Sequence, residues 1–270
     1  MDATPGLIAT DIDGTLLRDD RTLSAHTAAV LARISARGTP VVLVTGRPIR
    51  WLRLVYEQLA EPVPAVCANG AVVYDPVDDQ VLRADPLAPE LLAEVAERLR
   101  AEVPGVSLAV EIVDSREMRH EAHYPVRWEA GDAAIRVVDK PEELLSAPAV
   151  KLLVRAGDQD PDRFTEMIST ALAGLAEATH SSNSGLVEIS AAGVTKAAGL
   201  AWYCHRIGVD PADVLAFGDM PNDVPMLTWA GRAVAVANAH PTVLAVADDV
   251  TSTNSTDGVA AYLEKVFGAD

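Results

Sequence analysis

Short runs that are apolar throughout recur along this chain at strand length, and several end in polar clusters. Leu7-Ile8-Ala9-Thr10 leads into Asp11, Pro40-Val41-Val42-Leu43-Val44 into Thr45, and Leu215-Ala216-Phe217 into Gly218-Asp219; Ala65-Val66-Cys67 and Ala233-Val234-Ala235-Val236 are further members. Between them lie helical patterns over Ser24 to Arg37 (closed by Gly38), Pro48 to Leu59, Thr195 to Ile207, Asp223 to Ala230, a segment that Pro241 starts, and Gly258 to Phe267. A strand with no polar alternation is buried on both faces, and alternation with helices implies a parallel sheet covered by them. Ligands of such sheets bind beyond the carboxyl ends of the strands. That edge receives Asp11, Asp13, Thr45 and Asp219.

From Pro86 the pattern changes. A helix to about Glu102 is followed by strands over 106–113, 134–138 and 150–154, a helix from Asp162 to Glu177, and a strand over 186–189. The connecting loops are longer and polar, the longest running from Arg116 to Gly131. This α+β segment, residues 85–189, reads as a domain inserted into an α/β domain made of residues 1–84 and 190–270.

The sequence has 270 residues, 49% hydrophobic and 23% charged, a folded globular profile with room for one large domain or two modest ones. Its net charge of −17, with no concentrated basic run, argues against nucleic acid as a partner. No apolar stretch is long enough to span a bilayer, and Asp2 with an immediate first strand leaves no room for a signal peptide. Cys67 and Cys204 lie in apolar surroundings and read as buried free thiols. The expectation is a soluble cytoplasmic protein, in which an anionic ligand needs a locally positive pocket and help from a bound cation.

The polar clusters carry the chemistry. Asp11 and Asp13 are two apart on extended backbone and share a face, and Gly14 lets the chain bend directly after them. Such a pair can divide labour, one carboxylate attacking while its crowded neighbour keeps a proton. Thr45-Gly46-Arg47 offers a hydroxyl and exposed amides, Lys196 a cation at a loop-to-helix transition, and Gly218-Asp219-Met220-Pro221-Asn222-Asp223 a second set of oxygens. No Gly-x-x-x-x-Gly-Lys-Ser/Thr loop occurs, which excludes nucleotide hydrolysis by that route.

In this order the motifs resemble those of the haloacid dehalogenase-like hydrolases, Cof type with a class IIB cap, over essentially the whole chain. The resemblance implies a Rossmann-like parallel-sheet core with an inserted α+β cap, and a Mg²⁺-dependent phosphatase that hydrolyses a small phosphorylated metabolite through an aspartyl-phosphate. It makes Asp11 the nucleophile and Asp13 the acid that protonates the leaving alkoxide and later activates water. Thr45, with Gly46, would bind the phosphoryl oxygens, and Lys196 would neutralise charge on the phosphate and Asp11. Asp219 would hold Mg²⁺ together with the Asp11 side chain and the Asp13 backbone carbonyl, and Asn222 and Asp223 would complete the phosphate and metal surroundings. Arg47 is open to a substrate role or a plain surface position. Asp13 disfavours a dehalogenase, while a phosphomutase and a non-catalytic phosphometabolite-binding module stay as alternatives. Neither the residues nor the resemblance fixes the oligomeric state.

Other features read two ways. Arg119, His120, Glu121, His123, Tyr124, Arg127 and Trp128 suit a polar or phosphorylated ligand, or a solvated loop over the cap's sheet. His120 and His123 flank Glu121 but lack the further ligands a metal site needs. Asn69-Gly70 matches a family motif near the active site and equally a plain turn. Asn254-Ser255-Thr256 reads as the turn that starts the last helix.

Overall fold

The computed structural model describes residues 4–114, 116–125, 134–182 and 184–268. Its strands in chain order are β1 (Leu7–Thr10), β2 (Val41–Val44), β3 (Ala65–Cys67), β4 (Val72–Asp75), β5 (Gln80–Ala84), β6 (Ser107–Ile112), β7 (Met118–Glu121), β8 (Ile135–Val138), β9 (Ala149–Arg155), β10 (Ala176–Thr179), β11 (Val187–Ala191), β12 (Val214–Gly218), β13 (Arg232–Val236) and β14 (Asp249–Thr251). They form two sheets, ordered β14-β13-β12-β1-β2-β3-β4-β5 and β10-β11-β9-β6-β7-β8.

The first sheet is parallel from β14 to β3, and β4 and β5 add antiparallel strands at one edge. Every residue of β1, β2 and β3 is buried, as their unbroken apolar runs require. β1 lies between β12 and β2, with Thr10 opposite both Phe217 and Leu43. Asp11 therefore emerges beside Gly218-Asp219 and close to Thr45. Helices cover the sheet where local signals predict them. Ser24 accepts a hydrogen bond from the Thr27 amide at the start of Ala25–Ala36, and Thr195 accepts one from the Ala198 amide at the start of Lys196–Ile207.

In the second sheet the pairs are antiparallel except β7 with β8. One face packs Leu108, Val110, Leu152, Val154, Val187 and Ile189 against Leu92, Val95, Phe164 and Ile168 of helices Pro89–Glu102 and Pro161–Ala171. Strand periodicity sends the intervening Glu111, Lys151 and Glu188, all buried, to the opposite face, where they meet loops of the first sheet. β11 continues to Ala191, so this sheet extends past residue 189.

Some expectations are corrected. The Pro48 to Leu59 helix is replaced by a 3₁₀ turn over Ile49–Trp51 and one short helix, Arg53–Tyr56. Arg47 is drawn to Asp13 and Arg50 to the buried Glu111, and these contacts outweigh local helix propensity. The Asp162 to Glu177 helix stops at Ala171, and after Gly174 (φ +79°) the chain turns into β10. The Arg116 to Gly131 stretch is not all loop, since Met118–Glu121 forms β7 on the partner strand β6. Its polar residues hide the strand pattern. Arg127 and Trp128 lie outside the described residues. Among the described residues, no helix is long and apolar enough to cross a membrane. Cys67 and Cys204 are buried and free, and Asn254–Thr256 is a turn before the final helix, as read.

Candidate active site

The β1 ladder carries on for one residue, the Asp11 amide donating to the Phe217 carbonyl at 3.0 Å. Gly14 then turns the chain with φ of +79°, and a Cβ there would lie 2.3 Å from Asp219 Oδ2. Both the backbone conformation and the close approach require glycine. The Thr15 hydroxyl donates to Asp219 Oδ1 at 2.8 Å, and the Asn238 amide donates to the Gly14 carbonyl at 2.8 Å. The loops after β1, β12 and β13 are thereby locked together.

After β12 the chain folds back, so that a Cβ on Gly218 would lie 2.6 Å from the Cβ of Asp223. Asp223 Oδ2 accepts from the amides of Asp219 and Met220, each at 3.0 Å. Its Oδ1 accepts from Lys196 Nζ at 2.6 Å, and the same ammonium donates to Asp11 Oδ1 at 2.5 Å. Lys196 reaches this point because its helix starts against the turn after β3. There a Cβ on Gly70 would fall 1.9 Å from the Thr195 carbonyl oxygen. Asp11, Lys196, Asp219 and Asp223 are all buried.

Burial lifts the Asp11 carboxyl well above the usual carboxylate range against the pull of Lys196, and Asp223, Asp219 and Asp13 add to the rise. Burial, with Asp223, pushes Asp219 up to about 7 despite the Thr15 hydrogen bond. For Lys196, burial alone would lower the ammonium, but Asp11 and Asp223 more than offset it and push it up. One cation thus serves a cluster with surplus negative charge, which is a setting made for a second cation. Asp11, Asp219 and Asp223 can each offer an oxygen, all within 4.8 Å of one another, and they are the only such acid, histidine or cysteine group among the described residues. Both Asp223 oxygens are already engaged, which leaves Asp11 and Asp219 with open lone pairs. Hard carboxylate oxygens of this kind fit Mg²⁺.

The raised Asp219 carboxyl has a consequence for stability. Its folded value near 7 exceeds its ordinary 3.8, so the neutral form favours folding. That contribution is complete below the unfolded value and is lost as pH rises through 7. In chelator, Asp219→Asn should match wild type in melting temperature at pH 4 and exceed it increasingly toward pH 8. A gap that is constant with pH, measured by thermal denaturation, would remove Asp219 from this role.

Asp13 stands beside the cluster with its side chain half exposed, and Arg47 grips it as a fork, with Nε on Oδ2 and Nη2 on Oδ1, both at 2.6 Å. Arg47 is therefore held against Asp13 and is not a free surface arginine. Thr45 is buried, and its hydroxyl oxygen accepts from the Arg47 amide at 3.0 Å. Gly46 lies between them, its carbonyl accepting from Lys151 Nζ at 2.6 Å. Asn222 turns to Asn69, donating to its Oδ1 at 3.1 Å. Asn69-Gly70 is more than a plain turn, since Asn69 is buried and linked to Asn222. The histidines stay with Glu121: His120 Nδ1 lies 2.9 Å from the Glu121 carbonyl oxygen and His123 Nε2 3.5 Å from Glu121 Oε2, while the Glu121 carboxylate also accepts from Arg100 and the Leu108 amide.

Sequence reasoning missed Thr15, Asn238, Lys151 and Glu188. The last two left a signal, a lone charge inside each of the apolar strands 150–154 and 186–189. A charge on such a strand is either at an edge or buried with a partner.

The sequence profile of the haloacid dehalogenase-like hydrolases matches residues 8–263. The chain is 31% identical over 273 residues to 5-amino-6-(5-phospho-D-ribitylamino)uracil phosphatase YitU of Bacillus subtilis, covering 99% of each. It is 29% identical to pyridoxal phosphate phosphatase YbhA of Escherichia coli, covering 96% of this chain and 98% of the relative. A haloacid dehalogenase-like hydrolase from Bacteroides thetaiotaomicron superposes with a TM-score of 0.78 at 26% identity, over 98% of this chain and 100% of that one. One from B. subtilis reaches a TM-score of 0.83 at 22% identity, over 96% and 99%. With the profile spanning nearly all of it and an aspartate-lysine cluster at the carboxyl edge of its parallel sheet, the chain belongs to the haloacid dehalogenase-like hydrolases.

Proposed function

We propose that this phosphatase hydrolyses a small phosphomonoester through an aspartyl-phosphate on Asp11, with Mg²⁺ held by Asp11, Asp219 and the Asp13 backbone carbonyl. The observation that carries the reading is the buried Lys196 ammonium, shared between Asp11 and Asp223 at 2.5 and 2.6 Å. It fixes one Asp11 oxygen and leaves the other for attack. When bound, Mg²⁺ would offset repulsion between Asp11 and an anionic phosphate and neutralise the charge that develops on it.

Asp11 attacks phosphorus, and the new Asp11 oxygen–phosphorus bond forms as the ester bond breaks. The leaving alkoxide takes its proton from Asp13. Asp13, now ionised, accepts a proton from the water that attacks the aspartyl-phosphate, which releases inorganic phosphate and restores Asp11. The Arg47 fork orients the Asp13 side chain. The Thr45 hydroxyl, whose oxygen accepts from the Arg47 amide, and the Gly46 amide would donate to the phosphoryl oxygens. Asp223 does not touch substrate and acts by positioning Lys196 and the amides of Asp219 and Met220.

Residues 85–189, continued through β11, serve as a cap that selects the leaving group. Relatives of similar length are named for a ribitylaminouracil phosphate, pyridoxal phosphate and phosphoglycolate, which supports small phosphorylated metabolites as the substrate class. Screening a panel of such esters for phosphate release tests the reading.

Chelation should stop turnover, and Mg²⁺ should restore it. Ca²⁺ should bind yet support turnover poorly, because its longer and looser coordination misplaces nucleophile and phosphate. Full activity of metal-stripped protein would defeat the metal assignment.

Asp13→Asn should lower kcat for alkyl phosphates by roughly 10²- to 10⁴-fold and for activated aryl phosphates much less. Help from an acid matters most when the departing oxygen is strongly basic. Equal loss across a leaving-group series would take Asp13 out of the acid's role.

A further inference from the structure

A line of buried polar groups runs from the second sheet to the loop that holds Lys196. It starts with Lys151 on β9, whose ammonium donates to the Gly46 carbonyl and to Glu188 Oε1 on β11, both at 2.6 Å. Glu188 Oε2 accepts from Asn69 Nδ2 at 3.2 Å, and Ser181 also hydrogen-bonds to this carboxylate. Asn69 Oδ1 accepts from Asn222 Nδ2 at 3.1 Å. Lys151, Glu188, Asn69 and Asn222 are each at most 5% exposed. Asn222 stands next to Asp223, and its Oδ1 is buried with no partner among the described residues.

The order of donors and acceptors in this line is dictated from one end. An ionised carboxylate only accepts, so Glu188 must face the nitrogen of the Asn69 amide. The Asn69 oxygen then faces Asn222, which must answer with its own nitrogen. The Asn222 oxygen is left over and directed away from Asn69. Burial would raise the Glu188 carboxyl, but Lys151 and the neighbouring donors hold it below its usual value, which keeps it an acceptor. A buried ion pair is an expensive way to join two strands, since well-packed apolar residues do as well or better. Its polarity is what apolar residues could not supply. Gly46 leaves the room it needs, for a Cβ there would lie 3.0 Å from Asn69 Oδ1 and 3.5 Å from Glu188 Oε2.

We propose that Glu188, anchored by Lys151, is a positioning residue of this phosphatase: it orients the Asn69 amide, which orients Asn222 beside the Lys196–Asp223 pair. The placement of β9 and β11 is thereby tied to the geometry of the catalytic loop. The proposal rests on the phosphatase reading. It predicts that breaking the line anywhere has one and the same consequence, because each break releases the same amide.

The test compares three variants. Lys151→Met/Glu188→Gln replaces the accept-only carboxylate by an amide that can face Asn69 either way, so nothing fixes the order of donors and acceptors, while size and charge balance are kept. Asn69→Gly removes the middle amide and keeps the left-handed backbone that Asn69 adopts (φ +57°). The triple variant combines them. Each should lower kcat by roughly 10- to 100-fold, and the triple variant should be no worse than the others. Losses that multiply in the triple variant, or wild-type kcat in Asn69→Gly, would overturn the proposal. A second readout does not need turnover. The Asn222 side-chain amide resonance, assigned by its loss in Asn222→Ala, should shift in Lys151→Met/Glu188→Gln, and an unmoved resonance would equally overturn the relay. Wild-type phosphate release that disappears in Asp11→Asn tests the underlying reading separately, so either idea can fail without the other.

Discussion

Asp11→Asn should reduce turnover below about a thousandth of wild type while leaving the fold intact. The amide is nearly isosteric but a poor nucleophile, and no neighbouring group can replace it in forming the phosphoryl bond. The structure adds a stability argument. Lys196 donates to both Asp11 and Asp223, so removing one negative charge leaves a balanced Lys196–Asp223 pair. Burial already favours the neutral form of Asp11, and Asp219, Asp223 and Asp13 oppose its charge. The melting temperature in chelator should therefore stay level or rise. Circular dichroism, thermal denaturation and phosphate release on one preparation check all three points, with deamidation excluded by mass spectrometry. Residual turnover above that level in the intact variant would count against covalent catalysis by Asp11.

The strand ends are legible in the sequence because β1, β2 and β12 are unbroken apolar runs, and a parallel sheet delivers the residues after such strands to one edge. Pattern alone places Asp11, Thr45 and Asp219 there. Lys196 needs the resemblance to the family, since a lysine in the first turn of a helix is locally ordinary. The helix start could not reveal that Gly70 and Gly199 let it approach closely enough to bury the ammonium. Asp223 likewise looks like one more oxygen ligand, whereas the fold-back at Gly218 commits both its oxygens to Lys196 and two backbone amides. The Pro48 to Leu59 helix fails for a related reason, as Arg47 and Arg50 answer to carboxylates remote in sequence. Lys151 and Glu188 are the instructive omission. Their strands are recognisable from the apolar pattern, but the charge in the middle of each demands a buried partner that the pattern does not name.

Lys196→Met should have an effect on stability opposite to that of Asp11→Asn, although it too should abolish turnover. Removing the ammonium leaves Asp11, Asp219 and Asp223 buried together with no cation among them. Breaking a buried pair by deleting one partner costs about 3–5 kcal/mol, which lowers the melting temperature of a chain this size by roughly 6–20 °C. The sign of its pH dependence comes from the carboxylates. Without Lys196 they hold protons to higher pH than before, so the folded variant is penalised only where the unfolded chain has already ionised. The deficit relative to wild type in chelator should be largest near pH 8 and shrink toward pH 5. Adding Asp223→Asn should recover part of the stability and none of the turnover, because it removes surplus charge without returning the cation that neutralises Asp11 and phosphate. Thermal denaturation across that pH range decides the matter: a variant as stable as wild type at pH 8, or a deficit that grows on acidification, would mean that Lys196 is not the counterion of this cluster.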